Sequence, residues 1–338
     1  MTSHMLEEAR EAPAAVARQL AADTAAYADF GALLRAEPPA GVLTIARGSS
    51  DHAASFMAYL TMARLGRLVT SLPMSLVTLY QSQLQAAGLL SAAFSQSGQS
   101  PDLVTPTRYL RGAGARTVAF VNASDSPLAE AAQWVFPLHA GAEISVAATK
   151  SFIAQLVAGA RLVNAWEGGA FDEALAALPA ALQRAALTDW SVGVETLLRA
   201  DRLFVIGRGT GLAVANEAAL KFKETCGIQA EAYSGAEVKH GPMALIDEGY
   251  PLLVFAPRGP AQAGLIALAE EMRARGARVL LAAPRETGAE LPTVETPMPE
   301  LDPIAAVQSF YPMVEALARA RGLDPDRPRH LAKVTRTR

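Results

Sequence analysis

Two stretches of this chain share one plan. Leu43-Thr44-Ile45-Ala46-Arg47-Gly48-Ser49 is a short apolar run that ends in a glycine and a hydroxyl, ahead of a helix-like segment from about His52 to Leu65. Arg202-Leu203-Phe204-Val205-Ile206-Gly207-Arg208-Gly209-Thr210 repeats it ahead of a second helical segment, 212–225. Leu252–Pro257 echoes the apolar stretch Leu89–Ala93, and Arg278–Pro284 echoes Thr117–Ala123. These short runs are apolar on both faces and alternate with helical periods, the pattern of parallel strands buried between helices. An α/β chain with two such sheets is expected. In sheets of this kind ligands bind at the carboxyl ends of the strands, where the glycine-bearing loops fall.

Between these landmarks, residues 6–36 are predicted helical, with Val16, Leu20, Tyr27, Phe30 and Leu34 on one face. Pro38-Pro39-Ala40-Gly41 ends that pattern. Residues 68–79 are expected to be extended. Asn122–Pro127 reads as a turn with an N-cap, followed by a helix over 128–133 and a short strand Val135–Leu138. A long apolar helix over 151–166 stops at Gly168-Gly169, and an Ala-rich helix over 173–187 bridges the halves. The implied division is an N-terminal helical segment 1–40, a first domain 41–168, a helical linker 169–190, a second domain 191–326 and a tail 327–338.

With 338 residues, 51% of them hydrophobic and 19% charged, the chain can bury two cores and is not a disordered sequence. Its net charge of -3 provides no general attraction to nucleic acid. No apolar run approaches the roughly 20 residues that span a bilayer, and Met1–Leu6, followed by acids, has no signal-peptide core. A soluble, cytoplasmic protein without membrane or nucleic-acid partners is expected. The one cysteine, Cys226, excludes an internal disulfide framework and a thiolate zinc site, and its apolar neighbours read as core. His52 and His139 lack metal-ligand spacing, so no metal and no cofactor is expected.

The most chemically loaded loop is Ser95-Gln96-Ser97-Gly98-Gln99-Ser100, between the strand ending at Phe94 and a helix beginning at Pro101. Ser100 is placed as N-cap and Pro101 as the first helical residue. Unpaired N–H groups at a helix start, joined by hydroxyls and a glycine, make a phosphate cradle. The same residues also describe an ordinary capped turn. The second copy, Arg258-Gly259-Pro260, lacks the hydroxyl run, so only the first half is expected to keep a cradle.

Elsewhere, Glu217, Lys221 and Glu224 share one helix face. They fit a solvated Glu–Lys pair, or a carboxylate and an ammonium projecting into a cleft where a proton moves beside a carbonyl. Ala230–Pro242 reads as a polar loop carrying His240, an acid–base candidate. The C-terminal Arg327-Pro328-Arg329-His330-Leu331-Ala332-Lys333 is either a frayed basic tail or the carrier of a lysine that forms a Schiff base.

Taken together these stretches resemble the sugar-isomerase (SIS) family, in particular the isomerase half of glucosamine-6-phosphate synthase and the SIS-type glucosamine-6-phosphate deaminases. The resemblance rests on six segments in order: Arg47-Gly48-Ser49-Ser50, Ser95–Ser100, Ala142-Glu143-Ile144-Ser145-Val146-Ala147-Ala148-Thr149-Lys150, Ala219–Glu224, Glu231–Pro242 and Leu331-Ala332-Lys333. It implies two tandem SIS domains of flavodoxin-like architecture. It also implies that Ser50, Ser95, Gln96, Ser97 and Ser100 surround a sugar 6-phosphate, with Val146 and Ala147 at sugar-binding positions. Glu224 takes the place of the base that shuttles a proton between C1 and C2, and Lys221 that of a lysine near the reacting oxygens. His240 takes the place of the ring-opening histidine that the family contributes from the neighbouring subunit of a homodimer. Lys333 takes the place of the tail lysine that covers the site and forms a Schiff base. Two positions depart from the family pattern: Ala148, where serine is common, and Arg47, where a small residue or cysteine is common. The chain starts almost directly on the isomerase half, without a glutaminase domain, so the expected reaction is deamination of glucosamine 6-phosphate to fructose 6-phosphate and ammonia. The alternatives are a fructosamine-6-phosphate deglycase, a galactosamine-6-phosphate deaminase, ammonia-dependent synthesis of glucosamine 6-phosphate, or a sugar-phosphate sensor without turnover.

Overall fold

The computed structural model describes residues 2–333. The first half runs α1 (His4–Ala21), α2 (Thr24–Ala36), β1 (Val42–Ile45), α3 (Ser49–Leu65), β2 (Val69–Ser71), α4 (Ser75–Thr78), β3 (Leu90–Ser95), α5 (Pro101–Gly112), β4 (Arg116–Val121), α6 (Pro127–Ala131), β5 (Trp134–Pro137) and α7 (Lys150–Glu167). The second runs α8 (Asp172–Ala185), α9 (Ser191–Leu197), β6 (Arg202–Gly207), α10 (Thr210–Cys226), β7 (Gln229–Ser234), β8 (Pro251–Phe255), α11 (Gln262–Ala274), β9 (Arg278–Pro284), β10 (Leu291–Thr293) and α12 (Asp302–Ala320). Short 3₁₀ turns fill several connections, among them Glu237–His240 and Pro242–Leu245.

The chain forms two compact units. One contains Ala14–Glu143, Lys150–Ala176 and, at the end of the described chain, Ala332 and Lys333. Its sheet has the order β2-β1-β3-β4-β5, parallel throughout. Every residue of β3 is buried, as expected of a central strand covered on both faces. On one face Tyr27 of α2 lies 4.1 Å from Phe136, and Phe94 lies 4.7 Å from Phe120, ring centre to ring centre. Nearly all of α7 is buried because it packs between α2 and α3, which explains a helix with so little polar surface. The other face is covered by Leu103, Val104 and Leu110 of α5 with Leu128 of α6.

The other unit contains the segment up to Pro13, Ile144–Thr149 and Ala177–Leu331. Its sheet, β10-β9-β8-β6-β7, is also parallel throughout and, counted from the β7 edge, repeats the first sheet strand for strand. Phe204, Ile206, Leu252 and Val254 face α11 in one core. On the opposite face, Phe255 of β8 meets Phe310 of α12, which stacks edge-on against Phe222 of α10.

The repeat extends to the backbone. Gly48 precedes α3 with φ 54° and ψ -134°, and Gly209 precedes α10 with φ 63° and ψ -138°. Both helices are 17 residues long, and both end on a left-handed glycine, Gly66 or Gly227. The counterparts are 161 residues apart at either end. A side chain resists this positive-φ turn, which is why glycine stands at both loops.

Three sequence expectations need correction. The helix predicted over 6–36 is two helices, because Asp23 adopts φ 55° between them and Arg161 binds the carbonyls of Gln19 and Ala22 that end α1. Of the extended stretch over 68–79, only Val69–Ser71 is strand, and Ser75–Thr78 forms a helical turn. The first five residues of the loop expected over 230–242 belong to β7, an edge strand whose Gln229 and Glu231 are exposed. Among the described residues, no helix is long and apolar enough to cross a membrane.

Candidate active site

In the unit built on the first sheet, the loops after β1 and β3 lie side by side at the point where the strand order reverses, the position at which open α/β sheets bind ligands. Ser50 sits in the first turn of α3. Ser95 ends β3, and its Oγ accepts the N–H of Gly98 at 2.9 Å. Ser97 Oγ accepts the N–H of Gln99 at 3.3 Å. Ser100 has the extended backbone of an N-cap ahead of Pro101, yet its side chain makes no capping bond. The start of α3 is likewise uncapped by a side chain. Two of the serines therefore hold the loop's shape, and two helices begin at this corner of the sheet, where the positive ends of their dipoles favour an anion. Arg47 joins the two loops: its Nη2 lies 3.2 Å from the buried carboxylate of Asp102, in the first turn of α5.

The counterpart loop in the other unit has a different fate. Arg258 forms a two-bond pair with buried Asp302, Nε to Oδ2 at 2.7 Å and Nη2 to Oδ1 at 2.9 Å. Thr296 N and Oγ1 also donate to Asp302. An internal ion pair occupies the second copy where the first carries hydroxyls.

That unit instead carries charge on α10. Lys221 Nζ lies 2.5 Å from Glu224 Oε2 and 3.4 Å from Glu217 Oε1. The Tyr311 hydroxyl donates to Glu217 Oε1 at 3.5 Å. Side-chain exposure is 0% for Glu217, 1% for Lys221 and 18% for Glu224. The expected pairing exists, but it is not solvated. Two carboxylates and one ammonium are held inside, and only Glu224 reaches a surface. It opens on a cleft of about 1060 Å³, lined also by Leu220, Lys223, Arg321, Arg327 and Leu331. The duplicated frame explains the burial: the counterparts of Glu217 and Lys221 in α3 are Phe56 and Leu60, both fully buried. Desolvating a charge is costly, so the buried Lys221 and Glu217 persist as ion-paired neighbours, and the carboxylate in excess is the one that reaches the surface, Glu224. Next to it, burial pushes the Cys226 thiol up to about 11, as befits a core residue.

His240 is exposed at the end of a 3₁₀ turn. Val238 and Ile246, on either side of it, pack into the core on the α11 face of the sheet. Glu224 belongs to α10, which packs with α12 on the other face. Glu224 and His240 of one chain are therefore not neighbours.

Lys333 lies beside Glu143, Nζ to Oε2 at 3.2 Å. Glu143 has no exposed side-chain surface and accepts Ser151 N at 3.0 Å and Ser151 Oγ at 2.5 Å, at the start of α7. Val146 donates its N–H to the carbonyl of Asp326 at 3.3 Å, and Ala147 is buried. His139, which lacks metal-ligand spacing in the sequence, lies 2.6 Å from Asp23, Nε2 to Oδ2.

Sequence reasoning assigned no separate role to three acids that the structure pairs with candidate residues: Glu217 with Lys221, Asp102 with Arg47 and Glu143 with Lys333. Glu217 was visible by spacing alone. Asp102 follows Pro101 in a first helical turn, where an acid is common and unremarked. Glu143 was legible as an isolated charge in a stretch of small and apolar residues.

A family model described as SIS domain matches residues 40–165 and 196–285. A glutamine–fructose-6-phosphate aminotransferase (isomerizing) of Zymomonas mobilis is 34% identical over 86% of this chain and 51% of its own length. The chain spans about half the length of the curated relatives it matches. Among solved structures, a protein from Silicibacter pomeroyi described as a phosphosugar isomerase superposes with a TM-score of 0.91 at 42% identity, covering 96% of this chain and all of that one. The C-terminal domain of a glucosamine-fructose-6-phosphate aminotransferase from Francisella tularensis superposes with a TM-score of 0.88 at 25% identity, covering 97% of this chain and 98% of its own.

Proposed function

This chain belongs to the SIS domain family, and from that premise we propose that it interconverts glucosamine 6-phosphate with fructose 6-phosphate and ammonia. The observation that carries the reading is the buried Glu217–Lys221–Glu224 triad, with Glu224 alone opening to the cleft. A base for carbon acids needs a fixed carboxylate with one face free, and a neighbouring cation to stabilise charge developing on oxygen. Glu224 and Lys221 meet both needs.

In this scheme Ser50, Ser95, Gln96, Ser97 and Ser100 hold the phosphate, with Val146 and Ala147 against the sugar. Phosphate binding energy is spent on positioning C1 and C2. His240 opens the ring. Glu224 removes the C2 proton of the open aldose and returns it to C1, leaving an imine at C2. Water adds to that imine, and ammonia departs. Lys333 then condenses with the C2 carbonyl of the open ketose, expelling its oxygen as water, and hydrolysis of that transient imine releases the ketose. The opposite placement of His240 and Glu224 within one chain supports a site completed by a second subunit's histidine, and hence a homodimer. The names of the aminotransferase relatives favour the reverse direction, amination of fructose 6-phosphate, as a second reading.

The test is incubation of the purified protein with glucosamine 6-phosphate, following ammonia and fructose 6-phosphate together, and then the reverse mixture. Equal release of both products is expected. Glu224→Gln is expected to lose at least about 100-fold in turnover while phosphosugar binding stays within about tenfold. Unchanged turnover in that variant would remove Glu224 from the role of base.

A further inference from the structure

We propose that Glu143 is the positioning residue for Lys333: its carboxylate holds the tail ammonium and takes its proton when the amine attacks the carbonyl of a ketose phosphate. The inference rests on the function proposed above. An amine attacks only as the free base, so an ammonium in this role needs a nearby acceptor. Glu143 Oε2 is in contact, 3.2 Å from Nζ, on a carboxylate with no exposed side-chain surface.

That carboxylate cannot swing away. Ser151 grips both oxygens, Oε1 through its N–H at 3.0 Å and Oε2 through its hydroxyl at 2.5 Å. Ser151 lies in the first turn of α7, where the helix start favours a negative charge. The acceptor is thus fixed to a long buried helix, whereas the lysine it holds sits in a C-terminal segment without helix or strand. A flexible four-carbon side chain gains its direction from the rigid partner.

The proton balance closes. Nζ gives one proton to Glu143 Oε2 and its lone pair adds to C2 of the open ketose. The carbonyl oxygen takes a second proton from the same nitrogen, giving a carbinolamine. Glu143 then returns its proton as that oxygen leaves as water, and a protonated imine remains. No oxidant or further reactant is needed.

The experiment traps that imine. Fructose 6-phosphate is added to the protein with sodium borohydride, and the reduced adduct on Lys333 is quantified by peptide mass spectrometry. Glu143→Gln, which keeps an acceptor for Ser151 but not the charge, is expected to cut trapping and kcat about tenfold with KM within about threefold. Glu143→Asp keeps a charge at the helix start but withdraws it from Nζ, and serves if the Gln variant does not fold. It too is expected to trap poorly while fructose 6-phosphate still raises its melting temperature. In a Lys333→Ala background, Glu143→Gln is expected to change the residual turnover less than twofold, because the two residues act as one unit. Wild-type trapping in both Glu143 variants, or effects of Glu143→Gln and Lys333→Ala that multiply, would overturn the role of Glu143 and leave the proposed function standing. Ammonia release without any wild-type adduct would overturn the inference alone. Neither adduct nor ammonia release would overturn the proposed function with it.

Discussion

At the scale of single residues, Gly98 is the most constrained position of the hydroxyl loop. Its φ is +64°, and a Cβ there would lie 2.0 Å from Ser126 Oγ and 2.5 Å from Ser126 Cβ. Ser126 cannot retreat freely, because its hydroxyl accepts Ala129 N as the N-cap of α6. Gly98→Ala is therefore expected to cost roughly 1–3 kcal/mol, from backbone strain and overpacking. It is also expected to weaken phosphosugar binding at least about tenfold by displacing the hydroxyls around it. Melting and titration calorimetry check both effects. The sequence showed the glycine and the hydroxyls but not the collision, since Ser126 reaches the loop only through the fold. The same limit applied to Glu217 and Lys221. Spacing states that two residues share a helix face and is silent on whether that face meets water. Only the apolar counterparts Phe56 and Leu60 carry that information, and they stand 161 residues away.

At the scale of elements, the strands and their glycine turns were legible because they are governed by local rules: apolar runs of strand length, and positive φ at fixed places. The elements that were misread depend on partners. The break at Asp23 is held by Arg161 from α7, and β7 is an edge strand whose polar surface imitates a loop. The loop after β8 belongs to the same class, since nothing local announces that Arg258 will close on Asp302. Arg258→Ala would leave a buried carboxylate with Thr296 as a weaker partner. Loss of roughly 2 kcal/mol is expected, tempered by the partial exposure of the arginine, and denaturant titration reads it. Phosphosugar affinity is expected to stay within about twofold, because the anion-binding loop proposed above is in the other copy.

For the whole molecule, the separation of His240 from Glu224 within one chain has a direct test. If each site takes its histidine from the second subunit, a heterodimer of Glu224→Gln and His240→Ala chains has one site with both residues and one with neither. Random reassembly makes half of the dimers mixed, so mixing the two inactive proteins is expected to restore about a quarter of wild-type turnover. A site supplied by its own chain predicts no recovery.

The twin glycine turns at Gly48 and Gly209, with their helices of equal length, also bear on how this chain changes over generations. Where two copies share a backbone, drift in one copy has a reference in the other. Phe56 and Leu60 show what the frame accepts when it is merely filled, and Glu217 and Lys221 what it accepts when it is charged. Hydroxyls survive in one copy and an Arg258–Asp302 clasp in the other. Duplication thus let structural and chemical demands be inherited at separate addresses, so that either can be revised while its twin keeps the original plan.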